Sequence, residues 1–230
     1  SSVTDAAPLG RPLLLLNLKA YPGCLGPGAE RLGLHLQQLG RRAGVAVAIA
    51  PATPDLGRLA RALSIPVLAQ HADAGEAGAR TGWTVPATIR AAGGRGSLLN
   101  HSEHPMEDEG IAAGVVGLRS LDLVPVVCAK DVADAGRLAR FRPPYLAVEP
   151  PELIGGDRSV STTRPEVVSE TVDVVRRVAP RTLVLCGAGV HDRDDVRRAI
   201  ELGSQGVLVA SAVTKAPSPR SAIAELLRGF

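Results

Sequence analysis

Residues 182–189, Thr-Leu-Val-Leu-Cys-Gly-Ala-Gly, and residues 206–211, Gly-Val-Leu-Val-Ala-Ser, decide how the chain is read. Each is a short unbroken apolar run that ends in small residues. A strand with one wet face alternates apolar and polar side chains, whereas a strand covered on both faces reads as continuous apolar sequence. The same pattern occurs at Leu13–Asn17, Val45–Ala50, Pro66–Gln70, Gly96–Asn100, Leu123–Val127 and Tyr145–Glu149, which with Thr182–Cys186 and Gly206–Ala210 makes eight runs. Stretches with helical spacing lie between them, such as Ala29–Arg42 with Leu32, Leu36 and Leu39, Pro165–Val178 with its valines, and a last helix near Ser221–Leu227. Thr163-Arg164-Pro165-Glu166 reads as a capping box ahead of the second of these. Eight strand–helix alternations predict a closed (β/α)8 barrel of the α/β class. An open doubly wound sheet has about five or six strands and a glycine fingerprint after the first.

The chain has 230 residues, 45% of them hydrophobic and 21% charged, which suits one barrel domain over residues 1–230. Residues 1–10, small and polar at Ser1–Leu9, are expected to form a loose tail. The formal net charge of +3 does not point to nucleic acid: the basic residues are scattered, and one Trp, two Tyr and two Phe offer little for base stacking. Arg41-Arg42, Arg176-Arg177 and Arg197-Arg198 read as solvated outer faces of helices. No stretch approaches the ~18 apolar residues of a membrane span, and the start lacks a secretory pattern, so a cytoplasmic location is expected. Cys24, Cys128 and Cys186 are odd in number and show neither disulfide nor zinc spacing, and Cys128 and Cys186 read as buried structural thiols. His35, His71 and His191 lack ligand spacing with carboxylates or cysteines, so no metal is expected.

In a barrel of this kind the chemistry sits at the carboxyl ends of the strands. The first run ends Asn17-Leu18-Lys19, the fourth Asn100-His101-Ser102-Glu103, and the sixth Val148-Glu149-Pro150-Pro151. Alternation puts Asn17 and Lys19 on one side. A cation, an imidazole and a carboxylate at one mouth can abstract a proton beside a carbonyl and stabilise the enediolate, a 1,2 aldose–ketose shift that needs no redox partner.

Six strings occur in order from about residue 12 onward: Asn17-Leu18-Lys19, Gln70-His71, residues 98–103, residues 147–155, Cys186-Gly187-Ala188-Gly189-Val190 and residues 206–211. Together they resemble the signature of archaeal-type triosephosphate isomerases, the family that gives the TIM barrel its name. The resemblance implies interconversion of dihydroxyacetone phosphate and D-glyceraldehyde 3-phosphate in glycolysis and gluconeogenesis, without cofactor. It assigns Glu149 as the base, His101 as the electrophile and Lys19 as the cation stabilising developing charge, with Asn17 helping to hold substrate. A neutral His101 imidazole would follow from a helix beginning near Pro105. Ile154, Gly189, Ala210 and Ser211 carry over as substrate contacts, and Glu103, Gly155 and Gly187 as further members of the site. The phosphate would rest on the loops after the last two strands, where glycines let the backbone approach. Pro150–Ser161 resembles the family's closing lid, and loop 72–82, with Thr81 near its turn, resembles the segment relatives insert into a second copy, implying a homo-oligomer, dimer or tetramer.

The chain departs from the pattern twice. Asp157-Arg158 stands at the lid tip where relatives carry small or apolar residues, and is expected to face solvent or pair internally. His104-Pro105 follows Glu103 where relatives place an arginine nearby, which puts the support of Glu103 in question. Two other readings fit parts of the sequence: a metal-dependent ketose-phosphate epimerase, which needs carboxylates or metal ligands on several strands, and a catalytically silent barrel that only binds.

Overall fold

The computed structural model describes residues 7–230. Eight parallel strands form one sheet: β1 (Leu13–Asn17), β2 (Ala46–Ala50), β3 (Leu68–Ala69), β4 (Gly96–Leu99), β5 (Val124–Ala129), β6 (Tyr145–Val148), β7 (Leu183–Cys186) and β8 (Gly206–Val209). Their order is β2-β1-β8-β7-β6-β5-β4-β3. The seam between β2 and β3 closes through a single bridge, Ile49 to Val67, with the Ile49 N–H donating to the Pro66 carbonyl at 3.1 Å. The (β/α)8 barrel expected from the apolar runs is therefore the fold found. The third run pairs over two residues rather than five, because Pro66 has no N–H to give a ladder.

The helices are α1 (Pro27–Ala43), α2 (Leu56–Ala62), α3 (Pro86–Ala91), α4 (Asp108–Ser120), α5 (Val132–Ala139), α6 (Val160–Thr163), α7 (Pro165–Val178), α8 (Arg193–Glu201), α9 (Ser211–Thr214) and α10 (Pro219–Leu227). Two start signals differ from the sequence reading. The expected capping box before α7 does not form, because Thr163 closes α6, and Arg164 stands at the cap of α7 with no side-chain cap bond. The helix after His101 begins at Asp108 instead of near Pro105. Among the described residues no helix is long and apolar enough to cross a membrane.

Strand alternation sorts the core into two layers. Leu13 and Leu15 of β1, Ala48 and Ala50 of β2, Tyr145 and Ala147 of β6, and Leu183 and Leu185 of β7 fill the barrel interior. Leu14 and Leu16, Val47 and Ile49, and Leu146 and Val148 face the helices instead. Both faces of every strand are thus dry, which is why the runs carry no polar alternation.

At the amino-terminal end of the barrel the Tyr145 hydroxyl accepts from the Leu9 N–H at 3.1 Å and donates to the Gly10 carbonyl at 2.8 Å. Leu9 is 5% exposed and joins the interior cluster. Of the segment expected to be a loose tail, residues 1–6 lie outside the described residues, while Leu9 and Gly10 are tied down as a plug. Tyr145→Phe leaves the buried Leu9 N–H without its acceptor. The expected outcome is a loss of about 1–3 kcal/mol in urea unfolding, with kcat unchanged because the plug lies at the opposite end from the strand carboxyl termini.

Candidate functional site

The inward positions of β1 are Leu13, Leu15 and then Asn17, so the first polar inward residue appears at the strand's last position. Asn17 is 4% exposed, and its Oδ1 accepts the backbone N–H of Lys19 at 3.0 Å. Side-chain bonds of this kind, reaching two residues ahead, stabilise tight local turns. Here the turn holds Lys19 at φ 50°, a left-handed conformation that costs a non-glycine residue on the order of 1–3 kcal/mol. Its ammonium then projects into the mouth, 12% exposed, and donates to Glu103 Oε1 at 2.6 Å.

Asn100 closes β4 in the same left-handed region, at φ 61°. Its side-chain amide donates to the Cys128 carbonyl at 3.0 Å and its Oδ1 accepts the Met106 N–H at 2.9 Å, so one residue fixes both ends of the 101–106 turn. This tie delays the start of α4. Within the turn, the Glu103 N–H donates to His101 Nδ1 at 3.1 Å. An Nδ1 that accepts must be unprotonated, so the ring's proton resides on Nε2. Burial pulls the His101 pKa below the ordinary histidine range; the Glu103 charge opposes that and the Lys19 charge adds to it. The ring is thus a neutral donor whose orientation comes from a backbone N–H in a turn. Glu103 holds its place despite His104-Pro105.

His101 Nε2 points at Glu149 Oε1, 3.4 Å away but not in hydrogen-bonding alignment, and Oε1 is buried with no hydrogen-bond partner. Glu149 follows β6 at 8% exposure. Burial pushes its pKa up to about 7, the Lys19 charge pulls it down, and Glu103 and the neighbouring Cys128 thiol make smaller opposing contributions. A Cβ on Gly187 would overlap the Glu149 Cγ, so glycine there makes the room the carboxylate occupies. Cys24, Cys128 and Cys186 are all free and buried, as the sequence reading expected for the latter two.

Asn17, Lys19 and Glu149 line one narrow pocket with Ile154, Gly155, Ala188, Gly189, Ala210 and Ser211. Gly189 has φ 67°, and a Cβ there would run into the Arg158 carbonyl. The segment after β6 thus lies directly on the loop after β7, and the Val160 N–H donates to the Ala188 carbonyl at 3.2 Å. Arg164 joins the segment's two ends through Glu152 at 2.8 Å. Asp157 and Arg158 are exposed and form no ion pair with each other among the described residues. Opposite, α9 begins at Ser211, and its first N–H groups lack partners within the helix, leaving them available to an anion.

Every residue singled out in the sequence meets at this mouth: His101, Glu103 and Gly187 pack against Lys19 and Glu149, and the others line the pocket. Cys128 and Gln70 belong to the same neighbourhood and carried no site assignment from sequence. A lone cysteine in an apolar run has no pattern to mark it. Gln70 offered two signals, a polar residue at the end of a strand run and a place in the Gln70-His71 string. Among the described residues no group of three or more His, Cys, Asp or Glu side chains is placed to hold a metal ion.

The chain is similar to known proteins along almost its whole length. The triosephosphate isomerase family model matches residues 12–227. A triosephosphate isomerase of Cenarchaeum symbiosum is 45% identical over 219 residues, covering 95% of this chain and 98% of that protein. One from Caldivirga maquilingensis is 43% identical over 217 residues, with 94% and 96% covered. One from Methanosarcina barkeri is 40% identical over 220 residues, with 96% and 99% covered. A barrel whose mouth unites a lysine, a neutral histidine and a desolvated glutamate, matched by its family model almost end to end, belongs to the triosephosphate isomerase family.

Proposed function

We propose that the chain interconverts dihydroxyacetone phosphate and D-glyceraldehyde 3-phosphate, with Glu149 as the base, His101 as the electrophile and Lys19 as the electrostatic partner of the enediolate. The observation that carries the reading is the unpartnered Glu149 Oε1 set 3.4 Å from a histidine nitrogen whose proton is fixed by the Glu103 N–H. A buried carboxylate with one oxygen unpartnered and its pKa raised to about 7 is a competent base for a carbon acid. It takes a proton from the carbon beside the carbonyl while His101 Nε2–H hydrogen-bonds the carbonyl oxygen. The electron pair moves onto that oxygen as the enediolate forms, and the Lys19 ammonium stabilises the charge. His101 Nε2 passes its proton to that oxygen and takes the hydroxyl proton from the neighbouring oxygen, and Glu149 returns its proton to the neighbouring carbon, so atoms and charge balance without an external reagent.

Lys19 is held by Glu103, whose side chain is 54% exposed. With its carboxylate partner on the solvent side the pair is partly screened, so an incoming phosphate dianion competes for the ammonium. Gly189, Ala210, Ser211 and the start of α9 supply the backbone approach for the phosphate. Ile154 and Gly155 would cover the reacting carbons and keep water from an intermediate that otherwise eliminates phosphate; lid gating is a known property of this family. Loop 72–82 is read as the contact with a second copy. Its neck is clasped by Asp73 and Thr84, which exchange hydrogen bonds of 2.8 and 2.7 Å, while Trp83 is 47% exposed beneath Arg80.

Purified protein should isomerise glyceraldehyde 3-phosphate in the presence of a chelator, with Glu149→Asp lowering kcat about 100-fold by withdrawing the carboxylate roughly 1 Å. Turnover that appears only with added metal favours the epimerase, and tight binding of 2-phosphoglycolate without turnover favours a silent barrel. As Glu149 protonates, kcat/KM should fall about tenfold per pH unit below about pH 7. The same shift affects stability. A carboxyl whose folded pKa lies above its unfolded value keeps its proton longer in the folded state, so stability falls as pH rises from about 4.5 to about 7. Glu149→Gln removes that loss, and should exceed the wild type in stability by roughly 3 kcal/mol more at pH 8 than at pH 4. Light scattering should report a dimer or larger assembly, and deletion of residues 75–81 should leave a monomer.

A further inference from the structure

Gln70 lies between three oxygens at the seam where β2 and β3 meet through a single bridge. Its Nε2 is 3.0 Å from the Ala50 carbonyl at the end of β2, 3.0 Å from the Lys19 carbonyl beyond β1, and 3.2 Å from Asn17 Oδ1. All three neighbours are acceptors, which fixes the amide orientation by chemistry. The same Asn17 Oδ1 already accepts the Lys19 N–H. The strained backbone of Lys19 is therefore gripped on both polar groups, its N–H by Asn17 and its carbonyl by Gln70, and Gln70 also steadies Asn17. The clasp lies at the β2–β3 seam, which a single bridge closes; the other thin junction, β7 with β8, is registered at Cys186 and Val207.

We propose that Gln70 is a positioning residue for Lys19: its amide bolts the mouth ends of β1, β2 and β3 together and thereby holds the Lys19 backbone in the left-handed conformation that aims the ammonium into the site. The proposal rests on the functional reading of Lys19 given above. A backbone relaxed from φ 50° toward the ordinary helical or extended region swings the side chain away from the pocket, and a displacement of ~1 Å at a charged site group costs up to about 100-fold. The amide does nothing to the substrate itself; it acts through Lys19.

Two variants test this. Gln70→Met keeps length and volume and removes both N–H donors. Gln70→Glu keeps the shape and places a carboxylate against three oxygens. Gln70→Met should lower kcat/KM about 10–100-fold, weaken 2-phosphoglycolate binding by a similar factor, and move the acid limb of kcat/KM to higher pH, because the Lys19 charge no longer holds the Glu149 pKa down. Gln70→Glu should lose more on all three counts. The limb is the discriminating readout, since mere loosening of the barrel leaves it in place. Unchanged kcat/KM in Gln70→Met, or a loss that cooling restores with the limb unmoved, overturns the proposal. If the wild type fails to turn over glyceraldehyde 3-phosphate, the functional reading has failed separately. The positioning claim is then decided by 2-phosphoglycolate calorimetry, where equal affinity in wild type and Gln70→Met overturns it.

Discussion

A closed barrel with both strand faces dry leaves no place for a charge along its length, and everything polar in the site is a consequence of that exclusion. Leu13 and Leu15 occupy the inward positions of β1, and Tyr145 and Ala147 those of β6. Only where the ladders run out do Asn17 and Glu149 appear. There the chain must satisfy its released N–H and C=O groups while presenting side chains to one small volume. Asn17, Asn100 and Gln70 meet both demands with side-chain amides, each taking over hydrogen bonds that the sheet no longer makes. Two of the resulting turns are left-handed, and they carry Lys19 and the step into His101.

The electrostatics follow from the same dryness. Burial raises the Glu149 pKa and lowers that of His101, so each is drawn toward its neutral form. Lys19 acts against this shift at the carboxylate and with it at the imidazole. One ammonium therefore keeps the base ionisable near neutral pH and helps keep the histidine uncharged. Glu103 balances that ammonium from the rim, where its partial exposure makes the pair easy to exchange for another anion.

Most of the architecture was legible because it depends on patterns that repeat. Continuous apolar runs mark two-sided burial wherever they occur, and the residues closing them mark the mouth. What escaped was set by single tertiary contacts. Thr163 looks like a helix cap, yet Ser159 begins a separate turn that consumes it. The helix expected near Pro105 waits until Asp108 because Asn100 uses residues 101–106 as a turn. Leu9 reads as part of a polar tail, and only the distant Tyr145 hydroxyl shows why it is buried. Of the site, the lysine, histidine and glutamate were visible in their positions, whereas the left-handed Lys19 was not, since lysine gives no sign of φ 50°. The Asn17-Leu18-Lys19 spacing of an amide-capped turn was the available clue.

The sulfur at the mouth has a bearing on durability. Cys128 neighbours Glu149 from the adjoining strand, and its thiol pKa is raised by burial and further by that carboxylate's charge; Cys186, turned toward the helices, is raised by burial, then by Asp195 and less by Glu149. Oxidants and alkylating agents attack the thiolate, and the ladder from sulfenic to sulfonic acid starts there. A negative group nearby suppresses that form. The base that makes this mouth reactive toward carbon thus keeps its Cys128 neighbour chemically quiet, and the barrel tolerates an oxidisable atom next to its most sensitive residue.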